Sequence, residues 1–295
     1  MDLNFDLNKF LERSRALDLT GIDWSKAKTQ PISEAEKRCL TYMIDVESYT
    51  IAYMRIVLNT KAIKDREIAE FLPCWAYEEA YHSRALERFL QESGISLVLP
   101  DQRSYQRRKR FWESLKDHAA GLISRFSTDF IAVYMTWGAV QEMTTLSGYK
   151  NMARKSRNEA LAEVVRRIMR DESRHFGFYY NKAKERLMKS PRAQWLTSNL
   201  LKHFWLPVGA GIESDSEVAF VTAYLFGDTE GHETARHIDN TIAKLPGLSW
   251  FNYFETFTKQ CCQRLVAQSP WQELTEQLSY LPQSAVGYPQ EEANQ

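Results

Sequence analysis

The chain of 295 residues lacks a hydrophobic run long enough to cross a membrane. A spanning helix needs about 20 consecutive apolar residues, and the apolar stretch from Ala219 to Phe226 is far shorter. The segment that begins at Met1 has no basic head followed by an apolar core, so we predict no secretory signal. We therefore expect a cytoplasmic protein without a membrane span.

The sequence also lacks an excess of charge of either sign. Its 38 Lys and Arg residues balance 38 Asp and Glu residues, so the formal net charge is zero. This balance gives no electrostatic signature of nucleic-acid binding. There are only four cysteines and no Cys-x-x-Cys pair, which is typical of reduced thiols in a cytosolic protein. These four are Cys39, Cys74, Cys261 and Cys262.

Glycine and proline are scarce, with 12 and 9 residues, and residues that favour helices dominate the stretches between them. The pattern predicts helices at about 8–17, 34–60, 65–92, 128–156, 158–189, 192–206, 216–228, 230–244, 248–267 and 270–280. Ser33 and Glu36 predict a capping box, Gly94 predicts a helix end, and Pro73 predicts a kink or break. Only residues 95–99 resemble a strand. We therefore predict an all-α fold and a single domain over residues 1–295, with a helical extension at about 190–282.

Two of the long helices each carry a Glu-x-x-His sequence. The pairs are Glu79 with His82, and Glu172 with His175. Three residues are almost one helical turn, so the carboxylate and the imidazole of each pair project from one face. Each pair therefore supplies half of a possible two-metal site.

The additional carboxylates that such a site needs are predicted at Glu47 and Glu142. They precede Glu79 and Glu172 by 32 and 30 residues, respectively. A helix, a short turn and the return along a second helix require about this length. Two Glu-x-x-His pairs, with one further Glu from each of two other helices, build the di-iron and di-manganese sites of four-helix bundles.

Each of these four glutamates interrupts an apolar helical face. In the first long helix, this face consists of Leu40, Met43, Ile44, Glu47, Ile51, Met54 and Leu58. Burial of an ionised carboxylate is expensive unless it is paired or binds a metal. Two divalent ions would supply the compensating charge, and four carboxylates with two imidazoles suit iron or manganese better than zinc. The alternative is that each glutamate lies at the edge of its face and reaches solvent.

At these residues the chain resembles the soluble acyl-acyl carrier protein desaturases, a branch of the ferritin-like di-iron superfamily. The resemblance covers about residues 38–190 and is carried by four segments, one in each long helix. They are Met43 to Glu47, Trp75 to His82 (family pattern Trp-x-x-Glu-Glu-x-x-His), Gln141 to Thr145 (Gln-Glu-x-x-Thr) and Asp171 to His175 (Asp-Glu-x-Arg-His). The resemblance implies a ferritin-like four-helix bundle.

The resemblance also implies roles for particular residues. The implied iron ligands are Glu47, Glu79, His82, Glu142, Glu172 and His175, with Glu79 and Glu172 as the bridges. Thr145 would help to deliver a proton near the oxygen site, and Asp171 would orient a ligand histidine. The alternatives are a core threonine that bonds its own helix and a surface charge, respectively.

The chain departs from the family in several places. Tyr149 stands where the family has a histidine seven residues after the third-helix glutamate, and Tyr81 replaces an arginine before the second-helix histidine. Residues 190–295 show no match. The basic run from Arg103 to Arg110 could contact an acidic carrier protein or begin a solvated helix. The segment from Gly231 to His237 is predicted to be a solvent-facing helix, not a metal motif.

The activity implied by the resemblance is that of an O2-dependent non-haem di-iron oxidoreductase. It would contain two Fe ions, with Mn as an alternative, use O2 as co-substrate, and desaturate an acyl chain on acyl carrier protein or coenzyme A in lipid biosynthesis. A ferredoxin-like electron donor and a homodimer are expected. Three alternatives remain open: a hydroxylase or N-oxygenase, an iron-storage or scaffold protein, and a metal-free structural relic.

Overall fold

The computed structural model describes residues 5–96 and 128–268, and the secondary structure in these ranges is helical. The helices are α1 (Leu7–Arg13), α2 (Ser25–Thr29), α3 (Glu34–Ser48), α4 (Thr50–Leu58), α5 (Arg66–Glu92), α6 (Phe130–Lys155), α7 (Glu159–Lys189), α8 (Pro191–Phe204), α9 (Asp215–Phe226), α10 (Thr229–Ile242) and α11 (Tyr253–Gln268). A 3-10 turn at Lys61–Lys64 joins α4 to α5. The predicted all-α fold is confirmed.

Three predicted features lie wholly or partly outside the described residues. They are the basic run from Arg103 to Arg110, the helix at about 270–280, and the end of the strand predicted at 95–99. Ile95 and Ser96, the part of that strand that is described, are not in a strand. Among the described helices, none is long and apolar enough to cross a membrane.

The ends of α3 and α5 have the capping chemistry that the sequence predicts. At the start of α3, the Ser33 hydroxyl accepts a hydrogen bond from the Glu36 backbone N–H, and the Glu36 carboxylate accepts one from the Ser33 backbone N–H. After α5, Gly94 has a φ of 74°, and the N–H of Ile95 donates to the carbonyl of Leu90 at 2.9 Å. A positive φ is easily adopted by glycine, so Gly94 ends the helix.

The helix predicted over residues 34–60 is instead divided at Tyr49 into α3 and α4. The hydroxyl of Ser48 donates to the carbonyl of Ile44, and that of Thr50 donates to the carbonyl of Glu47. Side chains that bond backbone carbonyls in this way compete with helical hydrogen bonding and bend helices. The prediction that Ile51 continues the buried face is therefore wrong, since its side chain is 61% exposed.

The break predicted at Pro73 is also wrong, because α5 continues through this residue. Proline removes one helical hydrogen bond and strains the preceding turn. Phe71, Leu72 and Trp75 are nevertheless buried on either side of it. Tertiary packing of this apolar face therefore outweighs the local preference against helix.

Four long helices form the bundle. The two halves of one helical hairpin, α6 and α7, are joined by residues 156–158 and pack along their lengths. A Cβ added at Gly138 of α6 would lie 2.3 Å from the ring of Tyr179 on α7, so glycine permits this close approach. On the other side, α3 packs against α5, and α5 packs against α7. Helices α8, α9 and α10 of the extension pack on this bundle, with α9 against both α3 and α6, and α11 packs on α9 and α10.

Candidate metal centre

The six side chains named as ligands from the sequence meet inside the bundle. They come from all four long helices: Glu47 from α3, Glu79 and His82 from α5, Glu142 from α6, and Glu172 and His175 from α7. All six are buried, with exposed fractions of 6% or less. The alternative that these glutamates reach solvent from the edges of their helical faces is therefore excluded.

The six residues form two overlapping groups. The ligand atoms within each group lie within 4.8 Å of one another, and Glu79 and Glu172 belong to both groups. One group adds Glu47 and His82, and we call it the Glu47 position. The other adds Glu142 and His175, and we call it the Glu142 position. Two shared carboxylates between two positions match the geometry of a carboxylate-bridged metal pair.

At the Glu47 position, the Nδ1 atom of His82 faces three carboxylates. It lies 3.0 Å from Glu172 Oε1, 3.7 Å from Glu47 Oε2 and 4.0 Å from Glu79 Oε1. These oxygen atoms and the nitrogen therefore surround one small volume.

The Glu142 position has the same arrangement around His175. Its Nδ1 atom lies 2.9 Å from Glu79 Oε1, 3.6 Å from Glu142 Oε2 and 3.8 Å from Glu172 Oε2. Both histidines thus use the same ring nitrogen toward the carboxylates.

The inward-facing atoms of the cluster have no hydrogen-bond partner. They are Glu47 Oε2, Glu79 Oε1, both carboxylate oxygens of Glu172, and the Nδ1 atoms of His82 and His175. Buried polar atoms without partners are costly and uncommon in proteins. Two cations bound at the two positions would satisfy all of them at once. The residues therefore fit a pair of metal ions, and the mixed oxygen and nitrogen donors suit iron or manganese.

The outward-facing nitrogen of each histidine contacts an acidic residue from the other Glu-x-x-His helix. The Nε2 atom of His82 on α5 lies 3.3 Å from Asp171 Oδ2 on α7, and that of His175 on α7 lies 2.7 Å from Glu78 Oε2 on α5. A proton on Nε2 leaves the Nδ1 lone pair directed into the cluster. Asp171 thus has the position expected of a residue that orients a ligand histidine.

Glu78 and Arg174 belong to the segments that carry the family resemblance, but neither was predicted to be a site residue. The Nη2 atom of Arg174 donates to Glu78 Oε1 at 3.1 Å and also to Asp171. One guanidinium therefore joins the two outer carboxylates. The signal that could have revealed Glu78 is its place in the chain, because it precedes Glu79 just as Asp171 precedes Glu172.

Glu47 and Glu142 each belong to only one of the two positions, and we call them the terminal carboxylates. Each is held by one hydrogen bond from outside the cluster. The hydroxyl of Tyr149 donates to Glu47 Oε1 at 2.5 Å, and the indole N–H of Trp75 donates to Glu142 Oε1 at 3.0 Å. Tyr149 is the residue that replaces the histidine of the family. Its contact with Glu47 was not predicted, because nothing in the sequence pairs a residue on α6 with one on α3.

Burial and mutual repulsion shift the titration of the carboxylates. Burial, together with the charges of Glu47 and Glu172, raises the pKa of Glu79 well above its usual range. Burial raises the pKa of Glu142 to about 8. Although burial acts to raise it, the close approach of the His175 and His82 imidazoles holds the pKa of Glu172 below its ordinary value. Without metal, the cluster therefore shares its negative charge unequally and retains protons.

The pKa values of the two histidines shift in the direction that favours the charged form of the ring. Burial acts to lower the pKa of His82, but the hydrogen bond with Asp171 and the nearby carboxylates of Glu172 and Glu47 raise it well above 6.5. His175 is raised in the same way by its carboxylate partners. The metal-free cluster thus holds protons where a metal would bring positive charge.

A narrow apolar cleft, part of which is open to solvent, reaches the cluster at Glu47 and Tyr149. Its walls come from α3, α6, α9 and α11 and from the segment after α8. They include Met43, Val46, Thr145, Val208, Val221 and Leu225. Thr144 and Thr145 both line this cleft, and the Thr144 hydroxyl donates to the carbonyl of Val140 in its own helix. The cleft thus joins a space suited to an apolar molecule to one side of the metal centre.

The segment from Gly231 to His237 lies away from the cluster on α10. Glu233 and His237 are exposed, but Gly231 and Ala235 of the same segment are buried, so only one face of this helix is solvent-facing as predicted. Among the described residues, the possible metal-binding groups are the two at the bundle centre.

Comparison with known proteins identifies related sequences and folds. A family model described as "Fatty acid desaturase" matches residues 46–208, which is more than half of the chain. This range includes all six residues of the cluster. No curated protein matches the chain.

Several solved structures of R2-like ligand-binding oxidases share the fold. A variant with an aerobically reconstituted Mn/Fe cofactor is 18% identical, with coverage of 90% of this chain and 98% of that chain and a TM-score of 0.52. A variant with an anaerobically reconstituted Mn/Fe cofactor is 17% identical, with coverage of 90% and 95% and a TM-score of 0.53. A form with a metal cofactor after photoconversion is 18% identical, with coverage of 90% and 93% and a TM-score of 0.52. At these identities, the comparisons support the ferritin-like fold.

Proposed function

This chain belongs to the fatty acid desaturase family, in its acyl-acyl carrier protein desaturase-type, ferritin-like di-iron branch, and on that premise we propose that it is an O2-dependent di-iron desaturase. Its substrate is an acyl chain carried on acyl carrier protein or coenzyme A. The observation that carries this proposal is a buried cluster of four carboxylates and two histidines with unpartnered inward atoms, beside an apolar cleft.

Iron is the metal we propose, with manganese as the alternative. Carboxylate and imidazole donors accept both metals, and the structurally similar oxidases are described with Mn/Fe cofactors. When bound, the two ions supply the binding and reduction of O2 and the oxidising power that protein side chains lack. Metal analysis after loading with each metal separately, and with both together, distinguishes these compositions.

The side chains of the cluster bind and orient. Glu79 and Glu172 contribute to both positions, while Glu47 and Glu142 each complete one. Glu78 and Asp171 hold the two histidines with Nδ1 directed inward. The fixed arrangement of these groups before binding reduces the reorganisation that the reaction requires.

The cleft brings the substrate to the centre and excludes water from it. Val46, Val221 and Leu225 offer apolar contacts to an alkyl chain. Thr145 lies in the same cleft, where its hydroxyl can hold or pass a proton between solvent and the reacting region. Such a dry environment protects a strong oxidant from side reactions.

The overall reaction removes two hydrogen atoms from adjacent carbons of the acyl chain and reduces O2 to two water molecules. Two electrons and two protons must come from outside, and we propose a ferredoxin-like protein as the electron donor. A homodimer in the cytoplasm and a single domain over residues 1–295 complete this proposal.

A hydroxylase or N-oxygenase is the second candidate function, and Tyr149 is the observation that favours it. In place of the family's histidine, this residue puts a phenol hydroxyl beside Glu47, at the point where the cleft meets the cluster. A different polar group there could direct the same oxidising chemistry to oxygen insertion.

Product analysis tests the proposed function. Iron-loaded protein would be supplied with O2, a ferredoxin and its reductase, and an acyl chain attached to acyl carrier protein or to coenzyme A. Desaturation predicts a product that has lost two hydrogens, whereas a hydroxylase predicts one added oxygen atom. Failure to bind two metal ions per chain would contradict both functions.

A further inference from the structure

Each metal position has one terminal carboxylate, and each of these carboxylates is held from outside by one hydrogen-bond donor. Tyr149 donates to Oε1 of Glu47, and Trp75 donates to Oε1 of Glu142. In each case Oε2 is the atom that lies near the histidine Nδ1, at 3.7 Å for Glu47 and 3.6 Å for Glu142. The donors therefore occupy one oxygen of each carboxylate and leave the other for the metal.

The two donors differ in chemistry. A phenol hydroxyl both donates and accepts, whereas an indole N–H only donates. The Tyr149 hydroxyl donates to Glu47 in an O–H···O contact of 2.5 Å. The Trp75 contact, at 3.0 Å, is an ordinary N–H···O distance. Tyr149 can therefore also accept a hydrogen bond beside Glu47, whereas Trp75 can only donate to Glu142.

The two donors also differ in surroundings. Tyr149 lines the apolar cleft together with Glu47. Trp75 is instead enclosed by aromatic rings, with ring centroids 5.6 Å from Tyr179 and 5.8 Å from Tyr53. Only the Glu47 position thus borders the space that we assign to substrate.

We propose that Tyr149 and Trp75 are positioning residues that make the two metal positions inequivalent, each by restricting the terminal carboxylate of one position to a single metal-binding oxygen. Tyr149 acts on the position that faces the cleft, and Trp75 acts on the position that faces the aromatic core. This inference rests on the metal centre of the proposed function, and in it Tyr149 fixes the orientation of the Glu47 carboxylate.

Iron binding to the full-length chain without O2 tests the proposal. Wild-type protein should bind two Fe(II) ions. Loss of an outer partner of a metal ligand typically lowers metal affinity by about 10- to 100-fold. Tyr149→Phe should therefore weaken one of the two binding events by about this factor and leave the other unchanged. Trp75→Phe should weaken the other event.

A matched control removes a buried tyrosine hydroxyl elsewhere in the bundle. Tyr180 of α7 is buried, and its hydroxyl contacts the backbone carbonyl of Thr241 instead of the cluster. Tyr180→Phe should bind both irons with wild-type affinity. Circular dichroism of each metal-free variant shows whether it folds. If Tyr149→Phe does not fold, Trp75→Phe still tests the proposal independently.

Mössbauer spectra of protein loaded with enriched iron supply a readout that a general loss of stability would not change. The proposal expects two distinct Fe(II) signals in wild type, with Tyr149→Phe shifting one and Trp75→Phe shifting the other. The proposal is overturned if both variants shift the same signal, or if neither variant changes a signal or an affinity. A wild-type chain that binds no iron pair contradicts the proposed function itself, so the two failures are distinguishable.

Discussion

At the scale of single residues, the histidines are oriented across the bundle. Glu78 lies on the same helix as Glu79 but contacts His175, and Asp171 lies beside Glu172 but contacts His82. Each Glu-x-x-His helix therefore supports the histidine of the other. Arg174 joins the two outer carboxylates and ties both supports together.

This crossed arrangement predicts crossed effects on metal binding. Asp171→Asn should weaken the Glu47 position, where His82 binds, and Glu78→Gln should weaken the Glu142 position, each by about 10- to 100-fold. Fe(II) titration with the Mössbauer signals described above assigns each loss to a position. As a control, Glu70→Gln removes a carboxylate of α5 that pairs with exposed Arg66 and should leave both affinities unchanged. The crossed arrangement would be contradicted if a substitution weakened iron binding at the position whose histidine lies on the same helix as the substituted residue.

Protonation of the metal-free cluster predicts how stability depends on pH. The pKa of Glu142 is raised to about 8 from 4.5, so the folded state holds a proton that the unfolded chain has lost. Stabilisation from this group is present below 4.5 and is lost as the pH rises toward about 8. The raised pKa values of His82 and His175 act in the same direction above 6.5. The lowered pKa of Glu172 has the opposite effect on stability, but this effect depends on pH only below 4.5.

The melting temperature of metal-free protein should therefore fall between about pH 6 and pH 8, while that of iron-loaded protein changes less, because metal binding displaces these protons. Thermal unfolding with and without a chelator, at several pH values, measures the difference. If the difference in melting temperature between iron-loaded and metal-free protein becomes smaller as the pH rises, the cluster does not retain these protons.

The sequence located four of the six cluster side chains because Glu-x-x-His is a local pattern, and three residues on a helix determine one face. Glu47 and Glu142 were predicted from their spacing and from the apolar faces that they interrupt. The partners of those side chains could not be located in the same way. Tyr149 and Glu47 are 102 residues apart and meet only through the packing of α6 on the rest of the bundle. Periodicity describes which face of a helix is buried, but not which residue of another helix it meets.

At the scale of helices, Gly138 of α6 faces the ring of Tyr179 of α7 without room for a larger side chain. Gly138→Ala would put a methyl group 2.3 Å from this buried ring, so the ring or the helix must move. Overpacking of this kind typically destabilises a protein by about 1–3 kcal/mol. Chemical denaturation of metal-free protein measures the change.

Gly148 provides the matched control on the same helix. A Cβ there would meet nothing closer than 3.5 Å, from Leu225. Gly148→Ala should therefore be neutral or stabilise the helix, since alanine is favoured over glycine by up to about 1 kcal/mol. Equal effects of the two substitutions would mean that the contact with Tyr179 does not limit the approach of α6 and α7.

Most helix boundaries follow from local signals, and the errors have local causes. The capping box at Ser33 and the positive φ of Gly94 were predictable because each is determined by a few adjacent residues. The division of α3 from α4 was not, because hydroxyl bonds to the carbonyls of Ile44 and Glu47 override an apolar pattern that runs through Tyr49. At Pro73 the opposite occurred, and packing overrode a local breaker.

At the scale of the whole molecule, the helical extension is part of the candidate site. The cleft that reaches Glu47 is walled by α3 and α6 on one side and by Val221 and Leu225 of α9 on the other. The sequence predicted the extension's helices but found no family pattern after residue 190. Its contribution to the cleft depends on how α9 packs on the bundle, which no local pattern describes.

Enlarging a cleft residue of the extension should therefore impair substrate binding and spare the metal. Val221→Phe adds a ring to the wall of the cleft and replaces none of the six cluster residues. If an alkyl chain occupies this space, kcat/KM for the acyl substrate should fall by at least about tenfold, since a single misfitted methylene is worth about 1–3 kcal/mol. Iron content should stay at the wild-type value. Kinetics with acyl chains of different lengths should show the smallest loss for the shortest chain.

Val266→Phe on α11 serves as the control, because Val266 is 40% exposed and lies outside the residues that line the cleft. This variant should retain wild-type kinetics with every chain length. An unchanged Val221→Phe enzyme would mean that the acyl chain reaches the metal centre by another path. A Val221→Phe variant that loses iron would instead indicate that α9 supports the bundle itself, because the six cluster residues lie on α3, α5, α6 and α7. The dependence on chain length separates these cases, since only a blocked cleft discriminates between long and short substrates.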